Sequence, residues 1–332
     1  QLRHIEDYST FLCMLFIFRK IAETSCRQKM SDGHKAAQED GRAGHGEEGG
    51  VGQCSDQTKV WTLSDPEDGD FVKGFYPSLT QQRYGLVRDT LQERGIKSVV
   101  DFGSSTCSLF RYLKSEGAGL IRVALVDLDK RVLEENTRAV RPLIAEHIML
   151  RRIPLTVSMY HGNAGELDSR LAGFQAASLV EVIEHLEPEV LEEVRHNVFG
   201  RLRPSLVIVT TPNAEYNILF RNFSGFRHYD HKFEWTQKQF QTWCGDVCQH
   251  YGYSVKYTGV GQPPPAKSHL GFCSQAAVFT ECLGKEGEKT EDTPYQLIEE
   301  VTFPHDSRTS AERLADAARC GVQTLSQRQD CR

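Results

Sequence analysis

"IKSVVDFGSSTCSLF", residues 96–110, decides how this chain is to be read. A short apolar run ends in Asp101 and Gly103, and a helical pattern starts almost at once. Strand, tight turn and helix in that order make a nucleotide-cofactor corner, where Gly103 lets backbone approach a ligand and the helix start offers amides. The plain alternative is the same corner with no ligand. One glycine stands where a dinucleotide fingerprint needs several, with Ser104 and Ser105 beside it. A pyrophosphate requires the second glycine for close approach, so a dinucleotide is disfavoured. A cofactor without phosphates needs less. S-adenosylmethionine (SAM) carries an ammonium, a carboxylate and a sulfonium, and Asp101 is placed to help hold the ammonium.

Outward from this corner, strand and helix patterns alternate. "LTQQRYGLVRDTLQERG" precedes it as a helix closed by Gly95. "TCSLFRYLKSEG" follows as a helix ending at Gly117. Then come strand "LIRVALVDLD", helix "KRVLEENTRAV", strands "IPLTVSMYHGN" and "AASLVEVIEH", helix "PEVLEEVRHNVFGRL", strand "PSLVIVTTPN" and helix "TQKQFQTWCGDVCQHYG". "YSVKYTGVG" and "AAVFTEC" read as a closing hairpin. Continuous apolar strands alternating with helices predict an α/β fold, a mostly parallel sheet covered on both faces. Ligands in such sheets bind beyond the carboxyl ends of the strands, at the switch point.

These patterns occupy residues 71–282. Residues 1–70 read as a mostly disordered or non-native extension: residues 30–56 are rich in glycine and charge, and "FLCMLFIF" (11–18) is too short to span a bilayer. Residues 283–332 read as a poorly ordered tail. A net charge of −6 argues against coating nucleic acid by bulk electrostatics, though not against gripping one strand end. The ten cysteines are scattered without a C-x-x-C pair, which favours a reducing compartment over a zinc module or a disulfide framework.

Candidate chemistry collects at the strand ends. Asp127 closes the second strand where an acid accepts hydrogen bonds from a ribose diol, while Asp129 suits the next helix cap better. Asn163, after Gly162, could bond an adenine edge or serve loop chemistry alone. "EVIEHLEPEV" (181–190) puts Glu181, Glu184 and His185 at i, i+3 and i+4, on one face if a helix starts there. Carboxylates among Val180, Val182 and Ile183 are costly to bury unless compensated, and a metal ion would relieve that cost. A charged, capped turn is the plain alternative. "FRHYDHKFEWTQKQF" (226–240) adds His228, Asp230 and His231 on a neighbouring loop, and the residues alone do not settle which histidine ligates.

Together, "EVIEHLEP", "TPNAEYN" and "DHKFEWTQKQFQTW", with "QQRY" and "YTGVG", resemble the methyltransferase domain of the small-RNA 3′-terminal 2′-O-methyltransferases, the Hua-enhancer type, over residues 71–282. The chain is similar to the shorter animal form, which acts on single-stranded PIWI-interacting RNAs. The resemblance implies a Rossmann-like class I SAM-dependent fold with a seven-stranded sheet. It implies metal and catalytic residues Glu181, Glu184, His185 and His231, the last chosen over His228 because it directly precedes "KFEW". SAM contacts would fall on Asp101, Gly103, Asp127 and Asn163. The turn "FGSSTCS" departs from the family's frequent cysteine after the glycine, at Ser104.

The implied chemistry is methylation of the 2′-hydroxyl on the last nucleotide. Mg2+ or Mn2+ bound to both the 2′- and 3′-oxygens would act as Lewis acid and read the free 3′ end. His185 is either a ligand or a general base. Arg83, Arg221, Arg227 and Lys232 are candidates to hold RNA, with Phe226, Tyr229 and Trp235 to stack bases, although core packing suits Trp235 better. Expected partners are the 3′ end of a small single-stranded RNA and a PIWI/Argonaute protein presenting it. The chain is expected to be a cytoplasmic, germ-granule-associated monomer with no membrane association. Other readings are an O-methyltransferase for a small vicinal diol such as a catechol, a NAD enzyme and a non-catalytic interaction protein.

Overall fold

The computed structural model describes residues 75–220 and 223–329. The extension expected over 1–70 and the candidate Arg221 lie outside the described residues. In chain order come α1 (Leu79–Glu93), β1 (Ser98–Phe102), α2 (Phe110–Leu113), β2 (Arg122–Asp127), α3 (Lys130–Glu135), α4 (Thr137–Val140), α5 (Ile144–Ile148) and β3 (Thr156–His161). Then follow β4 (Ala176–Val180), α6 (Pro188–Arg195), β5 (Leu206–Pro212), α7 (Gln237–Tyr251), β6 (Tyr253–Val260), β7 (Ser274–Glu281), β8 (Gln296–Thr302) and α8 (Ser310–Gln329).

The sheet runs β6-β7-β5-β4-β1-β2-β3-β8. Strands β1 to β5 are parallel, β7 is antiparallel to β5 and β6, and β8 is antiparallel to β3. The expected hairpin is β6–β7, paired from Tyr253↔Glu281 to Val260↔Ser274. Strand order reverses between β1 and β4, which creates the crevice that ligands use in doubly wound sheets.

Side chains alternate between two cores, as the period of a strand dictates. Val100, Phe102, Ala124, Val126, Val207 and Val209 face one core, which holds Phe199, Phe240 and Phe279. Val99, Val123, Leu125, Leu206 and Ile208 face the other, with Leu91, Phe110 and Phe303. Burial on both faces explains the unbroken apolar runs. Each fully buried aliphatic contributes about 1.5–3 kcal/mol relative to exposure.

Ser78 and Gln81 form a capping box on α1, and Thr236 and Gln239 form one on α7. Asp129 caps α3 by accepting from the Val132 amide. Two helices are shorter than their sequence pattern. Residues 104–108 stay in a loop with Ser105 and Cys107 at positive φ, so α2 begins only at Phe110. Helix α6 passes at His196 into a π-helical turn, His196–Leu202.

The expected seven strands are β1–β7, and β8 extends them. Residues 283–332, read from sequence as a poorly ordered tail, supply β8 and α8 instead. Tyr295 and Phe303, 3% and 0% exposed, anchor β8 at its two ends. Among the described residues, no helix is long and apolar enough to cross a membrane.

Candidate active site

A cleft of about 1040 Å³ opens at the switch point, lined by Asp101, Gly103, Asp127 and Asn163 and continuing to Glu181, His185 and Asp230. The four residues expected to contact a cofactor therefore share one cavity with part of the expected metal centre. Gly103, at φ +73, donates its amide to the Val126 carbonyl at 2.8 Å. A Cβ there would lie 2.5 Å from Val182 Cγ2, so the glycine is needed for packing against the β4 loop as well as for backbone access. Asp127 braces this corner: its Oδ2 accepts from the Ser105 amide (2.7 Å) and its Oδ1 from the Asp129 amide (2.8 Å). Ser104 is buried in the same wall, and its hydroxyl lacks a protein partner.

Asp101 is 3% exposed and accepts from Ser178 Oγ at 2.7 Å. Burial pushes its pKa up to about 7; the Ser178 bond opposes the rise and the Asp127 charge adds to it. Asn163 sits in loop chemistry of its own, its Oδ1 accepting from the Gly165 amide at 2.9 Å.

The acidic stretch does not form the helix face its spacing suggested. Glu181 follows β4 at φ 55, in the left-handed region, and Ile183–His185 makes a single 3-10 turn. A non-glycine residue in that region costs roughly 1–2 kcal/mol. Thr210 offsets this by accepting the Glu181 amide through its carbonyl (3.0 Å) and hydroxyl (3.1 Å). The Glu181 carboxylate accepts from Thr210 Oγ1 (2.9 Å) and Ser274 Oγ (2.6 Å) and faces Arg83 at 3.4 Å.

Glu184 is fully buried. Its Oε2 accepts from Thr211 Oγ1 at 3.0 Å, while its Oε1 has no partner. Burial, reinforced by the Glu181 charge, pushes its pKa well up. A buried carboxylate oxygen without a partner is a donor suited to a cation. The Lys232 amide donates to the Glu184 carbonyl at 2.8 Å and ties the second loop to this turn.

That loop brings His228 and His231 to His185, with ligating atoms within 4.8 Å of one another. His228, set aside in the sequence reading, is thus part of the cluster. The other ring nitrogen of each distinguishes them. His231 Nδ1 meets Glu234 Oε1 at 2.7 Å, and His185 Nδ1 meets Asp230 Oδ2 at 3.2 Å. A carboxylate only accepts, so in both rings Nδ1 carries the proton and Nε2 keeps its lone pair. In His228, Nδ1 accepts from the Asp230 amide at 3.2 Å, so its neutral ring carries the proton on Nε2. Burial, then the His231 and His228 rings, lowers the His185 pKa against the pull of Asp230, favouring the neutral form that ligates. Burial pushes Glu234 up, but bonds from His231, the Arg227 amide and Asn217 outweigh it and hold the carboxylate low. The tight cluster holds the three histidines and neither Glu181 nor Glu184. Two imidazoles presenting Nε2 and, across the Lys232–Glu184 link, a buried carboxylate oxygen without a partner are donor types that suit a divalent cation.

Several residues expected to grip RNA are engaged elsewhere. Arg83 pairs with Glu181. Arg227 donates to the Asn213 carbonyl (2.6 Å), the Cys273 carbonyl (2.9 Å) and Asn217 Oδ1 (2.6 Å), pinning the histidine loop. Trp235 stacks on Phe233 at 4.3 Å against the core. Phe226 and Tyr229 are exposed, and Lys232 is half-exposed beside Glu187. Asp230 was noted in the sequence without this role, and Glu234, Thr211 and Ser274, which orient the candidate ligands, went unread there. The Glu at i+3 from His231 was the one local signal.

This sheet order, with its antiparallel β7 and a cofactor cleft at the switch point, is that of the Rossmann-like SAM-dependent methyltransferases. No family model matches the chain. It is 40% identical over 235 residues to a small RNA 2′-O-methyltransferase of Xenopus tropicalis, covering 69% of this chain and 63% of the relative. It is 34% identical over 263 residues to that of Drosophila melanogaster, covering 72% and 67%. The crystal structure of small RNA methyltransferase HEN1 matches with TM-score 0.61 and 29% identity, over 73% of this chain and 30% of that one. The chain belongs to the small RNA 2′-O-methyltransferase family. It spans less than two thirds of the Xenopus relative's length, 63%.

Proposed function

We propose that this chain transfers the methyl group of SAM to the 2′-hydroxyl of the 3′-terminal nucleotide of a small single-stranded RNA. The observation that carries the reading is the continuity of one cleft from Asp101 and Asp127 to Glu181 and His185. Methyl donor and acceptor then meet without leaving the cavity. The 2′-oxygen attacks the methyl carbon, the carbon–sulfur bond breaks with its electron pair returning to sulfur to leave a neutral thioether, and the hydroxyl proton passes to solvent water in the open cleft. Glu181, Glu184, His185 and His231 would hold Mg2+ or Mn2+, which would supply the Lewis acidity that lets a ribose hydroxyl ionise near neutral pH. Asp230 and Glu234 hold the two imidazoles in the ligating tautomer. Since Asp230 fixes the His185 Nδ1 proton, His185 has one basic nitrogen and cannot both ligate and accept the substrate proton. Exposed Phe226 and Tyr229 are placed to stack terminal bases, worth about 1–3 kcal/mol each. The substrate class extends by this reading to PIWI-interacting RNAs, presented by a PIWI/Argonaute protein to a monomeric enzyme in the cytoplasm.

A methyl-transfer assay with labelled SAM tests this against the small-diol reading. An RNA of small-RNA length should take up label with added Mg2+ or Mn2+ and lose it with chelator. The same RNA ending in a 3′-phosphate, or oxidised by periodate, should take up none. Label entering catechol in preference to RNA would reverse the assignment.

Asp101 gives a pH prediction. Its raised pKa means that the cofactor-free fold binds this proton more tightly than the unfolded chain does. Its stabilising contribution is therefore complete below the ordinary carboxylate pKa, about 4, and is lost as pH rises through about 7. An ammonium held beside Asp101 favours the opposite, ionised form. SAM affinity should rise as pH rises from about 5.5 to 7.5, with proton release on binding. Calorimetry in two buffers of different ionisation enthalpy checks it, and affinity that is flat or higher in acid removes Asp101 from the ammonium site.

A further inference from the structure

The loop after β3, which carries Gly162, Asn163 and Ala164 into the cofactor cleft, is held by side chains from two distant parts of the chain. The single proton of Tyr295 Oη is shared between the Asn163 carbonyl (2.7 Å) and the Glu166 carbonyl (2.9 Å). Its ring closes over Gly162 so tightly that a Cβ there would lie 2.3 Å from Tyr295 Cδ1. From the other side, Asn197 in the π-helical turn donates to the Ala164 and Glu166 carbonyls, each at 2.7 Å. Asn197 is 0% and Tyr295 3% exposed. Beyond the loop, the Tyr295 amide donates to Asp168 Oδ2 (3.0 Å) and the Ser169 amide to the Asp292 carbonyl (2.9 Å). Asp168 is in turn paired with Arg170 at 2.7 Å.

We infer that Asn197 and the segment 292–295, which lies beyond the domain read from sequence, form a clamp that positions the β3 loop for the cofactor. The inference rests on the reading of the cleft as the SAM site. Within the loop, Asn163 is placed by its Asx turn and by the Glu166 amide, which donates to its carbonyl at 2.9 Å, and the Ala164 and Glu166 carbonyls of this irregular backbone are satisfied from outside. The clamp satisfies three consecutive-region carbonyls with two donors that are themselves rigidly buried. A π-helical turn is a common place for such a functional side chain. Tyr295 is a positioning residue: it touches the loop, and the loop lines the cleft.

The test uses the full chain with Tyr295→Phe, which keeps the ring over Gly162 and removes the shared hydrogen bond. SAM binding should weaken about three- to tenfold, the scale of one lost bond, and KM for SAM should rise accordingly. The kcat at saturating SAM and the KM for RNA should stay within about twofold, a split that general destabilisation does not produce. A wild-type chain that bound no SAM would defeat the cleft assignment itself. Wild-type binding matched by Tyr295→Phe would overturn the clamp alone. Hydrogen exchange on the wild type gives a second reading if the variant folds poorly. Saturating SAM should slow exchange at Gly165, Glu166, Ser169 and Tyr295 together, and unchanged protection at Ser169 and Tyr295 overturns the inference.

Discussion

Glu184→Gln is expected to abolish methyl transfer while leaving the metal-free fold at least as stable as the wild type. The two effects have one cause. Glu184 is fully buried, its Oε1 lacks a partner, and burial with the nearby Glu181 charge drives its pKa upward. The fold thus bears the cost of a carboxylate that nothing in the protein alone repays. Glutamine keeps the bond from Thr211 and removes the charge, which should gain about 1 kcal/mol, or roughly 2–4 °C in Tm. On the proposed function it also removes an anionic ligand, and losing the Lewis acid would cost several kcal/mol of barrier, about three decades in rate. The checks are Tm with and without Mn2+, and turnover at saturating SAM. Wild-type Tm should rise with Mn2+ and the variant's should not. A variant that turns over at more than about a tenth of the wild-type rate would show that Glu184 is a structural acid.

The same balance explains what could be read from sequence. The parallel strands were legible because both faces are buried, leaving unbroken apolar runs such as "SLVIV". Candidate residues at strand ends stood out because chemistry placed beside such runs has few structural uses, and six of them, Asp101, Gly103, Asp127, Asn163, Glu181 and His185, line one cleft. β8 was not, because Glu299 and Glu300 interrupt its apolar residues and its anchors, Tyr295 and Phe303, are single aromatics in polar surroundings. The contacts of Arg83 and Arg227 were not legible for a different reason. Their partners are Glu181 for the first, and Asn217 and the backbone carbonyls of Asn213 and Cys273 for the second, so sequence distance conceals them. Helix α2 was drawn too long because Ser105 and Cys107 adopt positive φ, which their side chains do not announce.

The choice between His228 and His231 depends on geometry that spacing alone could not supply. Both rings lie in the same cluster with His185. Glu234 fixes the proton of His231 on Nδ1, and the Asp230 amide keeps the proton of His228 off it. Only the first arrangement presents a lone pair at Nε2, while the second presents a donor. His231→Ala should therefore cost about three decades in turnover and remove the Mn2+-dependent rise in Tm, with SAM binding retained. His228→Ala should keep metal binding and lose no more than about tenfold, the scale of one hydrogen bond near the substrate. The contrast also predicts how Glu234→Gln behaves. An amide can donate to His231 Nδ1 and move the imidazole proton to Nε2, so metal affinity should fall about 10–100-fold although no ligand has been removed. Manganese titration followed by electron paramagnetic resonance measures all three. If His228→Ala abolished metal binding and His231→Ala spared it, the tautomers would be reversed, and the ion would be held by the histidine that precedes "YDH" and not by the one that precedes "KFEW".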